Sequence, residues 1–189
     1  IVGGAIFQRV VLTIDSQRKK LTMSQPYRPS YMKLTNRANA QLLQGVGMEC
    51  PITIDGVTFS CMLDTWNKGL VELNATDFAR LTGTAGKNVQ VYAGYGKTLV
   101  MVPAKVVGQC DFVRMAFKDV SIAENKSLIR SVIGTEILKH GLLSVDFLRQ
   151  TIYFQPFDEV TVKDDVIENH VTVESGKVNE ITGVYFREN

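Results

Sequence analysis

An internal repeat constrains this chain more than any other feature. "IVGGAIFQRVVLTIDSQRKKLTM" (1–23) lies on "VIGTEILKHGLLSVDFLRQTIYF" (132–154) without a gap, at a constant offset of 131. Gly3 meets Gly134, Ile6 meets Ile137, Leu12 meets Leu143, Asp15 meets Asp146 and Arg18 meets Arg149. Most other positions are conservative, among them Val2/Ile133, Ile14/Val145 and Leu21/Ile152. Self-similarity at a fixed offset implies a repeated structural unit, here of about 130 residues. The chain holds one whole unit and the closing segment of another. Residues 1–23 are therefore expected to be the tail of a first lobe, with Ile1 inside a longer protein.

Each copy has the same local logic. An apolar pair and a glycine close a strand, and "TEILKH" reads as a short helix with Gly141 as its C-cap. "LLSVDF" and "TIYFQ" then alternate around a turn at Leu148–Gln150, as a hairpin does. Asp15 and Asp146 fall in these hairpins and read as structural. His140, near a helix end, reads as a dipole contact. Residues 24–44 carry Pro26 and Pro29 and no clear period, so they read as a linker with a short helix near Asn36–Leu43.

The clearest hairpin signal is "MECPITIDGVTFSCML". Asp55-Gly56 between two alternating runs predicts a two-residue turn. Residues summing to 111 then face each other. Cys50, Ile52 and Ile54 oppose Cys61, Phe59 and Val57 on one apolar face. Cys50 and Cys61 could bridge, but that face equally suits buried thiols, the favoured reading. "GLVEL" continues as a strand, and "NATDFARL" is a short helix with Asn74 as N-cap. "VQVYAGYGKTLVMVPAKVV" is a second hairpin with Gly94-Tyr95-Gly96 at its tip. "FVRMAFKDVSIA" and "SLIRSVIG" supply the remaining strands. The expected fold is mostly β with short helices, a small closed or orthogonally packed domain at 45–158, followed by a C-terminal extension at 159–189. In that extension Val160–Val173 is strand-like and polar, and the last residues read as a weak helix or a frayed end.

Composition removes several function classes. The chain has 189 residues, 45% hydrophobic, with a net charge of +2, and no basic stripe interleaved with aromatics, so nucleic acid is a poor partner. No apolar run approaches the roughly 18 residues of a membrane span. Three cysteines and two histidines form no zinc-type cluster, and no metal or other cofactor is expected. The opening "IVGG" matches a serine-protease N-terminus, but neither Ser131 nor Ser144 sits in the glycine-rich loop that chemistry requires.

"CMLDTWNKGLVEL" (61–73) places Asp64-Thr65 at the end of an apolar strand. That strand, the glycine-tipped hairpin and Val132-Ile133-Gly134 before a short helix together resemble a retropepsin-like aspartic peptidase lobe. "IGTEILKHGLLSVDFLRQTIYFQP" is similar to the C-terminal portion of the bacterial two-lobe members. The resemblance covers about 46–157, with 1–23 as the tail of a preceding lobe. It implies a closed β-barrel of the acid-protease fold and a second Asp from another lobe or chain. One carboxylate would be ionised as general base and the other protonated, the two titrating as a unit. It implies Asp64 as the catalytic carboxylate and Thr65 as the hydroxyl that locks the two loops. It implies Val89–Val102 as a flap over a peptide or unfolded-protein substrate, with Trp66, Tyr92, Gly94, Tyr95 and Gly96 near that substrate. It leans towards an exported bacterial protein. Trp66 stands where the family has glycine, which leaves a peptide-binding or structural module as the competing expectation. If the repeat holds, the first lobe's Asp falls about 65 to 70 residues upstream of Ile1, in an Asp-Thr-Gly or Asp-Ser-Gly motif.

Overall fold

The computed structural model describes residues 7, 9–24, 32–43, 47–93, 98–159 and 170–174. Its strands are β1 (Val11–Asp15), β2 (Lys20–Ser24), β3 (Arg37–Asn39), β4 (Gln41–Leu43), β5 (Gly47–Ile54), β6 (Val57–Leu63) and β7 (Val71–Leu73). Helix α1 (Ala75–Ala79) follows, then β8 (Thr84–Ala85), β9 (Val89–Ala93), β10 (Thr98–Val102), β11 (Ala104–Phe112), β12 (Met115–Glu124) and β13 (Val132–Ile133). A 3-10 turn at Thr135–Lys139 leads to β14 (Gly141–Asp146) and β15 (Thr151–Pro156); a second at Phe157–Glu159 precedes β16 (His170–Glu174). The fold is mostly β, as the alternation predicts. Two compact units divide it, one formed by residues 1–48 and 138–189, the other by Glu49–Ile137.

The unit Glu49–Ile137 is a closed barrel. Neighbouring strands run β5-β6-β13-β7-β12-β11, and β11 pairs back onto β5 through Cys110↔Ile54 and Asp111↔Thr53. The β5–β6 hairpin has the predicted register, with Cys50 opposite Cys61, Ile52 opposite Phe59 and Ile54 opposite Val57. Asp55 (φ 44°) and Gly56 (φ 82°) both adopt the left-handed conformation that a type I′ turn needs. Asp55 also closes the barrel: its carboxylate accepts from Gln109 N at 2.8 Å and Gly108 N at 3.2 Å. Cys50, Ile52, Ile54, Phe59, Cys61, Cys110, Phe112 and Ile122 fill the interior. The three cysteines are free thiols, not a bridge.

Helix α1 begins where expected, with Asn74 Oδ1 accepting from Asp77 N at 3.0 Å. The predicted second hairpin is β9–β10, in register from Thr98↔Ala93 to Val102↔Val89. Its second arm does not continue into Ala104–Val107. Pro103 lacks the N–H a continuous ladder would use, and β11 starts afresh to pair with β12. The tip, Gly94–Tyr95–Gly96, lies outside the described residues.

The other unit is a sheet of order β16-β2-β1-β14-β15-β3. The two repeat copies meet at its centre as antiparallel neighbours, with Thr13 opposite Ser144. These residues are separated by the repeat offset, and their hydroxyls hydrogen-bond at 2.8 Å. The hairpin turns match in detail. Asp15 Oδ1 accepts from Arg18 N at 2.9 Å and Asp146 Oδ1 from Arg149 N at 2.9 Å. Lys19 (φ 54°) and Gln150 (φ 49°) both adopt a left-handed backbone. Each outer hairpin strand takes an edge partner that follows the other hairpin in sequence: β3 pairs with β15, and β16 with β2. Of the helix expected before the first hairpin, only part falls within the described residues; Val10 N donates to Phe7 O at 3.0 Å.

Two expectations need correction. No helix forms near Asn36–Leu43; β3 and β4 occupy that stretch, because β15 offers an open edge to which Arg37–Asn39 hydrogen-bonds. Gly141 is not a left-handed C-cap but the first residue of β14. A Cβ there would lie 2.6 Å from Phe154 Cζ, so glycine is required by close packing. In the C-terminal extension β16 is a strand, while 160–169 and 175–189 lie outside the described residues.

Candidate functional site

The barrel's connectivity creates an unusual loop. β6 and β7 are consecutive in sequence but not neighbours in space: β13 lies between them, parallel to β6 and antiparallel to β7. Residues 64–70 must therefore step across the width of one inserted strand, about two inter-strand spacings of 4.8 Å. Asp64 opens this loop, and its N–H donates to Ile133 O at 2.9 Å. Asp64 thus stands at the end of a barrel strand, beside Ile133–Gly134.

Gly134 sits under the crossing. Its N–H donates to Leu70 O at 3.0 Å, and Thr135 donates to Asn67 O from N at 2.7 Å and from Oγ1 at 3.0 Å. A Cβ on Gly134 would run into Gly69 O and lie 2.6 Å from Asn67 O. The sequence pattern apolar-apolar-Gly thus has a steric cause.

Asp64 is half-buried, and one carboxylate oxygen accepts from Trp66 N at 2.9 Å. Thr65 is exposed. Trp66 is 66% exposed and is not among the residues with positive φ, so the loop turns there without the left-handed backbone that would demand glycine. The hairpin reaches the same end of the barrel. The ring of Tyr92, on β9, has Lys68 Nζ 5.7 Å from its centroid, and Lys68 belongs to the Asp64 loop. Asp64, Thr65, Trp66 and Tyr92 are thus associated through one loop and one hairpin, while Gly94, Tyr95 and Gly96 lie outside the described residues.

Three buried polar residues escaped the sequence reading: Asn67 within this loop, and Glu72 and Asn125 behind it. Glu72 Oε2 accepts from Asn125 Nδ2 at 2.7 Å. Burial raises the Glu72 pKa above the ordinary carboxylate range; the nearby amides of Asn125 and Asn67 partly offset this, and the negative charge of Asp64 adds to the rise. Alternation along β7 puts Glu72 on the face opposite Val71 and Leu73, so the sequence carried no signal of its burial. Among the described residues no group of three or more His, Cys, Asp or Glu could hold a metal ion.

No family model matches the sequence, and no curated protein matches it. Among solved structures the chain is similar to a retropepsin-like aspartic protease from Rickettsia conorii, at 13% identity and a TM-score of 0.44, over 61% of this chain and 86% of that one.

Proposed function

We propose that residues 45–158 form a lobe of a retropepsin-like aspartic endopeptidase, with Asp64 as its carboxylate. The observation that carries this reading is the crossing loop. It fixes Asp64 at the mouth of a closed barrel, bonded to the strand that inserts between β6 and β7, on the side reached by the β9–β10 hairpin. A half-buried carboxylate held by its neighbour's N–H can bind and orient a water. Alone it cannot be both ionised base and protonated acid, so hydrolysis needs a second Asp. The matched hairpins around Thr13 and Ser144 favour a second, similar lobe as its source; a second copy of the chain is the alternative source. In this reading Thr65, exposed at the loop, bonds to the partner loop. The β9–β10 hairpin closes over an apolar peptide segment and excludes water.

The second reading is a non-catalytic peptide-binding or structural module, and Trp66 is the observation that favours it. An exposed indole beside the carboxylate is a binding surface in its own right. The test is cleavage of an unfolded protein at mildly acidic pH by the protein joined to its second lobe, beside its Asp64→Asn variant. Loss of turnover by at least about a hundredfold supports the peptidase, the scale set by loss of an acid–base group. Unchanged turnover assigns catalysis elsewhere. No turnover in either protein, with saturable quenching of Trp66 fluorescence by peptide, supports the binding module. Turnover by the 189-residue chain that rises with the square of its concentration would make a second copy the source of the other Asp.

A further inference from the structure

The function proposed above gives no role to Lys68, which lies on the Asp64 loop two residues beyond Trp66. Lys68 is exposed. Its ammonium lies 5.7 Å from the centroid of the Tyr92 ring, and among the described residues it has no carboxylate partner. Arg80, Arg130 and Arg149, by contrast, each face a carboxylate, at 3.2, 2.6 and 2.9 Å. An aromatic face attracts a cation without neutralising it, so Lys68 keeps its charge to offer. The hairpin supplies apolar surface on the same side. Its register pairs Leu99 with Tyr92 and Met101 with Gln90, so Leu99 and Met101 share the face that carries Tyr92. Leu99 is 52% exposed and Met101 58%, whereas Val91 on the opposite face is buried. The hairpin thus presents an apolar face to solvent on the side where Lys68 stands.

We propose that this surface selects acidic peptides, with Lys68 as the specificity residue. The Lys68 ammonium pairs with a Glu or Asp side chain of an extended segment, and apolar residues of that segment lie on Tyr92 and Leu99 of the hairpin and on the exposed Trp66 of the loop. Residues two positions to either side of the acidic one share its face in an extended chain, so the apolar contacts fall to them. Charge along the loop orients the ligand. Asp64 repels an acidic side chain at the carboxylate itself, while Lys68, further along the same loop, attracts it. The acidic residue therefore falls to the Lys68 side, and apolar residues are left beside Asp64. The inference rests on the peptidase-lobe reading only in calling the peptide a substrate.

The test is binding to the whole chain of short peptides that are identical except at one central residue, Glu, Gln or Lys, with Leu and Phe two positions to either side. Anisotropy of a neutral dye on the peptide gives the affinity, and fluorescence of the sole tryptophan, Trp66, reports contact at the loop. The Glu peptide should bind about fivefold more tightly than the Gln peptide at low salt, the upper range for an exposed ion pair, and the ratio should shrink towards one in about 0.5 M salt. Lys68→Arg should keep the preference and Lys68→Ala should abolish it. Lys68→Glu should reverse it, so that the Lys peptide binds best; a merely structural role for Lys68 gives no such reversal. Because Lys68 is exposed, these replacements remove no packing. Equal affinity for the Glu and Gln peptides overturns the proposal. So does a preference that survives Lys68→Ala, and so does the absence of saturable binding by any of the peptides. Binding is measured without cleavage, so the two readings fail separately. Charge-selective binding by a protein that cleaves nothing would sink the peptidase and leave the acidic-peptide site standing; cleavage indifferent to charge would do the opposite.

Discussion

Replacing Gly134 by alanine tests whether the inserted strand dictates the loop that carries Asp64. The added Cβ would lie 2.6 Å from Asn67 O and 2.7 Å from Asn67 Oδ1, and nearer still to Gly69 O, where ordinary contact begins at about 3.4 Å. Two of these are backbone oxygens of a loop held at both ends, so no rotamer change relieves the clash. The loop must retreat by roughly 0.5–1 Å, an overpacking cost of about 1–3 kcal/mol. That retreat stretches the bonds from Gly134 N to Leu70 O and from Thr135 to Asn67 O, for about 1 kcal/mol more. The sum is about 2–4 kcal/mol, a fall in melting temperature of about 5–15 °C for a chain of this size. Urea unfolding should show a lower midpoint at an unchanged slope. Gly108→Ala is the control. Its Cβ would meet only Asp55 Oδ1, at 3.4 Å, and it should stay within about 0.5 kcal/mol of the original protein. If Gly134→Ala is no more destabilised than Gly108→Ala, the steric account of the crossing is wrong.

Two more outcomes follow from the barrel interior. Burial pushes the Cys50 and Cys110 thiols up to about 12, and Cys61 further in the same direction. None should react with a thiol reagent in the native protein near neutral pH, and all three should react in denaturant; rapid native labelling of any of them would contradict the closed interior. Glu72 gives a pH dependence of known sign. Its folded pKa lies above its unfolded one, so its contribution to stability is fully present below the unfolded value and lost as pH rises through the folded value. Urea midpoints should show this component across the window just above the ordinary carboxylate range, and Glu72→Gln should lack it; identical profiles would contradict the buried, ionising carboxylate.

The local elements were legible in the sequence because local chemistry decides them. Asp55-Gly56 set the turn and hence the Cys50–Cys61 register, and Asn74 set the start of α1. The Asp15/Asp146 and Arg18/Arg149 matches foretold two equivalent hairpin turns. What the sequence could not show was pairing between distant segments. Arg37–Asn39 is too short and too polar to announce a strand, and it becomes one only because β15 leaves an edge open. Val132–Ile133 gives no hint that it divides β6 from β7. Glu72 and Asn125 are far apart along the chain and meet only once that division brings them together behind the loop.

Trp66 is best judged against the same loop. Glycine after the aspartate is needed when the backbone there is left-handed or when another chain passes where a side chain would stand. Neither condition holds within this barrel: the backbone at Trp66 is not left-handed, and the ring lies largely in solvent. The next residue holds the loop in place. Asn67 is buried, its backbone oxygen takes both bonds from Thr135, and its side chain takes Gly69 N. The loop that holds Asp64 is thus anchored one residue beyond the substitution, so the tryptophan leaves the carboxylate's local setting intact. Its consequence falls on whatever approaches Asp64 from outside, whether a peptide or a partner loop. That approach is what the Asp64→Asn comparison and the fluorescence of this sole tryptophan report separately.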